Sequence, residues 1–128
     1  MDDQNLELST EEAQSLAKTL QQQLSDGCLV NSDQESISRM IAGLGDNRGK
    51  LRLTFAKSLG SVGEAALPAL CSALRNHSNV IVRRAAAKTL NIIGSADALP
   101  YLYEAFIEDD DPVVQGSSAG AMATIGPP

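Results

Sequence analysis

A segment that recurs every 31 to 32 residues limits this chain more than any other feature, because a short repeat buries its apolar face only by stacking on its neighbours. A shift of 31 lays Arg52 on Arg83, Ala56 on Ala87, Lys57 on Lys88, Leu59 on Leu90 and Gly63 on Gly94. A shift of 32 carries Val82 to Val114, Ile93 to Ile125, Gly94 to Gly126, and Ala66-Leu67-Pro68 to Ala98-Leu99-Pro100. Apolar, proline and glycine positions recur together, so three units follow: 36–63, 64–94 and 95–126.

Each unit reads as two helices. Leu67, Leu70, Cys71 and Leu74 are spaced i, i+3, i+4, i+7, as one buried helical face requires. Ile37, Met40, Ile41 and Leu44 repeat that spacing, and so do Leu99, Leu102, Tyr103 and Phe106. Pro68 and Pro100 fall in the opening turn, where a missing N–H costs little. Polar turns follow at residues 45–49, 76–79 and 109–112. The second helices place Val82, Ala85, Ala86, Leu90 and Ile93 inward, and Gly63, Gly94 and Gly126 suit helix ends.

Residues 1–35 form an acidic segment with a lone helix. Ser9, Glu11 and Glu12 supply a capping pattern, Leu16, Leu20 and Leu24 a stripe, and Asp26-Gly27 a stop. The expected role is to cover the open face of the first repeat. At the other end Gly126-Pro-Pro stands where a fourth unit would begin. Either further repeats or a partner must cover that flank, and further repeats are the expectation favoured. The architecture read from the residues is an all-α, right-handed α-solenoid with an N-terminal capping helix.

The net charge of −6 conceals an asymmetry. Residues 1–35 carry −7, residues 36–94 carry +7 and residues 95–128 carry −6. With a pI near 4.6 and four aromatics in all, the basic middle does not read as a nucleic-acid surface. No apolar run approaches the roughly 18 residues of a membrane span. The acidic start has no hydrophobic targeting core. Cys28 and Cys71 match neither a disulfide framework nor a metal or redox motif, which fits a reducing cytoplasm.

The run from Ala66-Leu-Pro-Ala-Leu70 to Val80-Ile-Val-Arg-Arg-Ala-Ala-Ala-Lys-Thr-Leu-Asn-Ile-Ile-Gly94 resembles a HEAT repeat of the short bacterial type. More narrowly, Ile37-Ser-Arg-Met-Ile-Ala-Gly-Leu-Gly-Asp-Asn-Arg-Gly49 and Val113-Val-Gln-Gly-Ser-Ser-Ala-Gly-Ala121 are similar to the cyanobacterial group around the phycobilin lyases. That group also holds a phycobilisome-degradation protein and a HEAT protein that partners an iron–sulfur scaffold. The resemblance covers roughly residues 36–126. It implies a solenoid that binds a phycobiliprotein, a bilin such as phycocyanobilin, or an iron–sulfur assembly protein, in the cytoplasm or beside thylakoid-bound phycobilisomes. No intrinsic cofactor is implied.

Candidate chemistry is sparse. His77, the one histidine, reads as a solvated turn residue, and no nucleophile with an orienting third group stands beside it in the pattern. No set of catalytic residues emerges, and Cys28, Cys71 and His77 lack metal-ligand spacing. Cys71 lies on a core stripe. Cys28, just past a helix end, is the candidate reactive thiol, with an ordinary loop cysteine as the plainer reading. Asp109, Asp110 and Asp111 are consecutive and precede Pro112, so they suit a helix cap better than a calcium loop.

Asp46, Arg52, Arg83 and Asp111 occupy the places of an Asp–Arg ladder between repeats, with Arg83 meeting Asp46 or Asp111. The outward face of the second helices is the candidate binding surface and should line the concave side of the stack. It comprises Leu53 and Lys57, then Arg84, Lys88 and Asn91, then Gly116 and Gly120, with Arg48 beside it. Gly116 and Gly120 each cost a helix about 1 kcal/mol relative to alanine. Close packing of a neighbouring repeat and docking of a partner are both open as the compensation. The function expected is a binding scaffold whose basic face docks an acidic protein or a propionate-bearing bilin. A bilin-lyase component and an iron–sulfur assembly partner are the alternatives.

Overall fold

The computed structural model describes residues 6–28 and 30–127; the acidic residues 1–5 lie outside it. Among the described residues there are seven α-helices and no strand. They are α1 (Thr10–Asp26), α2 (Gln34–Gly43), α3 (Gly49–Val62), α4 (Leu67–Asn76), α5 (Val80–Ile93), α6 (Leu99–Glu108) and α7 (Pro112–Ile125). None is long and apolar enough to cross a membrane.

Local chemistry sets the helix ends. Ser9 caps α1 through a reciprocal box: its hydroxyl accepts from the Glu12 N–H at 3.1 Å, while the Glu12 carboxylate accepts from the Ser9 N–H at 2.9 Å. Each such cap contributes about 1 kcal/mol. Pro68 and Pro100 stand in the first turns of α4 and α6. Gly63, Gly94 and Gly126 close α3, α5 and α7 with φ of +73°, +74° and +84°, a region side chains disfavour.

The helices stack in two layers. α2, α4 and α6 adjoin one another in one layer, and α3, α5 and α7 do so in the other. Each hairpin, α2–α3, α4–α5 and α6–α7, spans both layers. The chain is therefore an all-α solenoid. α1 packs on α3 through Ala13, Ala17 and Leu20, so it extends the second-helix layer like the missing partner of a preceding repeat.

A single apolar core runs through the stack, with Phe55, Ile37, Met40, Leu44, Leu59, Leu70, Leu74, Leu90 and Leu102 fully buried. Burial of each such side chain stabilises by about 1.5–3 kcal/mol against leaving it in water. The Phe55 ring lies against Gly43, where a side chain would stand 2.5 Å from two ring carbons. That glycine is what lets α2 and α3 close on an aromatic residue.

Two expectations fail here. The third stripe is not buried like the second: Cys71 and Leu74 are 4% and 1% exposed, but Tyr103 and Phe106 are 59% and 43% exposed. α6 covers the α4 stripe, whereas among the described residues nothing covers that side of α6. His77 is not solvated either, being 8% exposed. Its Nδ1 accepts from the Asn79 N–H at 3.1 Å, as the Asp46 carboxylate accepts from the Arg48 N–H and Asp109 from the Asp111 N–H, both at 2.9 Å. The three turns thus share one construction, and the imidazole fills an aspartate's place in the middle one.

Candidate functional site

The second-helix layer is pinned at its turn edge by arginines. Arg52 donates to the Asp46 carbonyl at 2.7 Å, and Arg83 donates to the His77 carbonyl at 2.9 Å. In both cases an arginine on the second helix reaches six positions back to the turn that precedes it. Gln115 holds that place in the third repeat.

Ion pairs then join repeats, in a register the sequence did not reveal. Arg83 pairs with Asp109 at 3.0 Å, not with Asp46 or Asp111. Asp111 instead takes Arg84, with both guanidinium bonds at 2.8 Å. Asp46 is held by Arg48 at 2.7 Å inside its own turn. Among the described residues the ladder therefore spans only the seam between the second and third repeats, where Arg75–Glu104 at 2.9 Å adds a third rung. At the preceding seam the positions equivalent to Arg84 and Asp111 are Leu53 and Asn79, which form no such pair.

These contacts tune the acids. The Arg84 guanidinium, together with the Val114 N–H that the same carboxylate caps, holds Asp111 down to about 2. Hydrogen bonds from Arg48 lower Asp46 likewise. Burial pushes the Cys71 thiol up to about 11, so that sulfur is a packing atom, not a thiolate at neutral pH. Cys28 is exposed just beyond Gly27, the αL residue that ends α1. Among the described residues no three His, Cys, Asp or Glu side chains come together as a metal site.

The outward face of the layer forms a groove of about 580 Å³, chiefly between α3 and α5. Leu53, Arg84 and Lys88 line it, together with Arg52, which the repeat pattern had assigned to the ladder. Its apolar lining is Ala56, Ile81, Ala85 and the exposed Ile92 and Val113. Sequence reasoning missed Ile81 and Ile92 and set the half-buried Ala85 on the inward face, although with Lys88 they fall at i, i+4, i+7 and i+11, which marks one helical face. Such a volume suits a small organic ligand or an inserted side-chain cluster. An exposed lysine among apolar side chains suits an occupant that is both hydrophobic and anionic.

The remaining candidates disperse. Arg48 does not face the groove; besides Asp46 it donates to the Thr10 carbonyl at 3.2 Å, tying α1 to the first turn. Lys57 is exposed on α3 outside the groove lining. Asn91 is half-buried, and its Oδ1 has no hydrogen-bond partner among the described residues. Gly116 and Gly120 are exposed, and a side chain at either would meet nothing within 4 Å. Close packing of a neighbouring repeat therefore does not explain them. It does apply to Gly60, where a Cβ would stand 2.8 Å from Ile92.

Paired helices stacked in two layers with arginines at the turns define a helical-repeat solenoid. The family model for HEAT repeats matches residues 37–123, and the chain belongs to that family. Over 91 residues, 71% of this chain and 31% of the relative, it is 71% identical to the bilin biosynthesis protein MpeU of Synechococcus sp. (strain WH8020). Over 109 residues, 80% of this chain and 54% of the relative, it is 35% identical to the uncharacterized phycocyanin operon protein Z of Pseudanabaena tenuis (strain PCC 7409). The chain thus spans about a third of one curated relative and about half of the other.

Proposed function

We infer that this HEAT-repeat protein is a binding module of bilin handling, docking a phycobiliprotein or its bilin in the groove between α3 and α5. The observation that carries this reading is the groove itself: exposed Lys88, which takes no part in the ion pairs found among the described residues, lines it beside Leu53, Ile81, Ile92 and Val113, with Arg84, paired to Asp111, and Arg52 at its border. A bilin has an apolar conjugated body and two propionates, and acidic protein surfaces offer the same carboxylates to lysine and arginine. The names of the two relatives support the assignment to bilin metabolism.

The test is titration of the protein with phycocyanobilin and, separately, with purified phycocyanin, read by absorbance and by calorimetry. Binding with the chromophore left in place is the expected result. The double variant Leu53→Asp, Lys88→Glu changes two exposed side chains and should weaken binding about tenfold or more, with the urea midpoint little altered. Saturable binding that ignores both substitutions would refute the groove. Transfer or release of the chromophore would replace the scaffold reading with that of a lyase component.

A further inference from the structure

Charge is segregated by layer as well as along the chain. The helices α3, α5 and α7 hold six of the chain's ten bases and none of its sixteen acids. The six are Lys50, Arg52 and Lys57 on α3, with Arg83, Arg84 and Lys88 on α5. Of the turn acids, Asp46, Asp109 and Asp111 are each held by an arginine. Lys50, Lys57 and Lys88 are exposed and take no part in the ion pairs found among the described residues. On α1, which extends the layer beyond α3, the sign reverses: Glu11, Glu12 and Asp26 stand against Lys18. Uncompensated positive charge in this layer therefore sits on α3 and α5.

An apolar row crosses the same face. Leu53 of α3, Ile92 of α5 and Val113 of α7 line the groove, and each is about half exposed. A small ligand is usually buried over about 70–90% of its surface, which walls this open do not provide. Adjacent helices lie about 8–10 Å apart, so a row across three of them runs roughly 16–20 Å. A helix of about 12 residues has that length. Past Val113 the face continues without side chains: Gly116 and Gly120 follow at i+3 and i+7, exposed, with open space where a Cβ would stand. Lys57 stands one turn after Leu53, in the place that Lys88 holds on α5. A further repeat would stack at an end of the layer and leave its outward face uncovered.

We propose that this face docks an amphipathic, acidic helix of a partner protein, laid across α3, α5 and α7. Its apolar stripe rests on Leu53, Ile92 and Val113, and its glutamates or aspartates lie over Lys57 and Lys88. The proposal rests on the docking role inferred above and commits that role to a protein helix, not a free bilin. Recognition of this kind sets apolar anchors at i, i+3, i+4 and i+7 in a hydrophobic groove. Charge fixes the direction: the partner's acids meet lysines over α3 and α5, where the helices offer no carboxylate to repel them. Its other end crosses Gly116 and Gly120, where a backbone can approach closely.

The experiment titrates the full chain into a fluorescein-labelled, helix-forming peptide of about 16 residues, read by anisotropy. The peptide carries a leucine stripe at helical spacing flanked by glutamates. Saturable binding is expected, weakened about tenfold or more when lysines replace the glutamates, and weakened also by added salt. Lys57→Glu and Gly120→Leu lie outside the groove lining. Each should weaken binding about fivefold or more, with the urea midpoint little altered by the first and no lower after the second. A central pair of prolines in the peptide should abolish binding. Failure of the glutamate peptide to bind overturns the proposal, as does equal binding of the lysine or proline peptide, or indifference to both substitutions. So does a dimer of the chain that Lys88→Glu dissociates, which would place a second copy on the face. Phycocyanobilin bound in the groove, sensitive to Leu53→Asp with Lys88→Glu but not to Lys57→Glu or Gly120→Leu, would overturn the helix and keep the groove.

Discussion

Replacing Gly43 with alanine tests the central packing of the first repeat. The new Cβ would lie 2.5 Å from Cδ2 and Cε2 of Phe55 and 2.7 Å from Cγ. Carbon atoms in contact prefer about 3.5–4.0 Å, so three ring atoms are overrun by roughly an ångström. Phe55 is fully buried among Ile37, Met40 and Leu59, and a close-packed interior gives its ring little room to retreat. Overpacking of this kind costs about 1–3 kcal/mol, against which alanine's helical preference over glycine recovers at most about 1. The net expectation is a loss of about 1–2 kcal/mol, or a fall in Tm of roughly 4–8 °C at this chain length. Urea unfolding followed by circular dichroism, on a four-member cycle with Phe55→Leu, separates clash from propensity. Once the ring is gone the methyl should be neutral or stabilising, giving a coupling of about 1–3 kcal/mol. The reasoning fails if Gly43→Ala is harmless in the parent protein, or equally costly in both backgrounds.

The same substitution should have the opposite sign on α7. Gly116→Ala and Gly120→Ala add methyl groups in open space, so each should stabilise by up to about 1 kcal/mol, read as a higher urea midpoint; a loss at either would reveal a neighbour the structure does not show. The Arg84–Asp111 pair should give an acid-dependent stability. The folded pKa of Asp111 is about 2 and an unfolded aspartate titrates near 3.9, so the contribution is complete above roughly pH 4 and lost as pH falls toward 2. Asp111→Asn should flatten the dependence of the urea midpoint on pH across that window, and an unchanged slope would show that the pair is not formed in solution.

The repeat, the two-helix units and the helix ends were legible because each rests on interactions a few residues apart. Pro68 and Pro100 begin helices, Gly63 and Gly94 end them, and Ser9 with Glu12 caps α1. Part of the groove was legible too, since Leu53, Arg84 and Lys88 share a register on successive second helices. The ion pairs were not. Arg83 and Arg84 are adjacent, and a pattern search cannot tell which of them reaches Asp109 and which reaches Asp111. That depends on how far α7 is offset from α5, a quantity of the packed layer alone.

The sequence by itself determined that this chain is a stack of helical hairpins, because the 3.6-residue period and the terminal residues of a helix are local properties. Only the tertiary structure decided what each equivalent position experiences. Cys71 and Tyr103 share a place in their repeats, yet one is packed and the other open, since among the described residues α6 has a neighbour of its own layer on one side only. His77 and Asp109 share another, and there an imidazole stands in for a carboxylate within a turn that the stack has buried. Burial, pairing and accessibility belong to the neighbours a residue acquires, and in a solenoid those change from one repeat to the next.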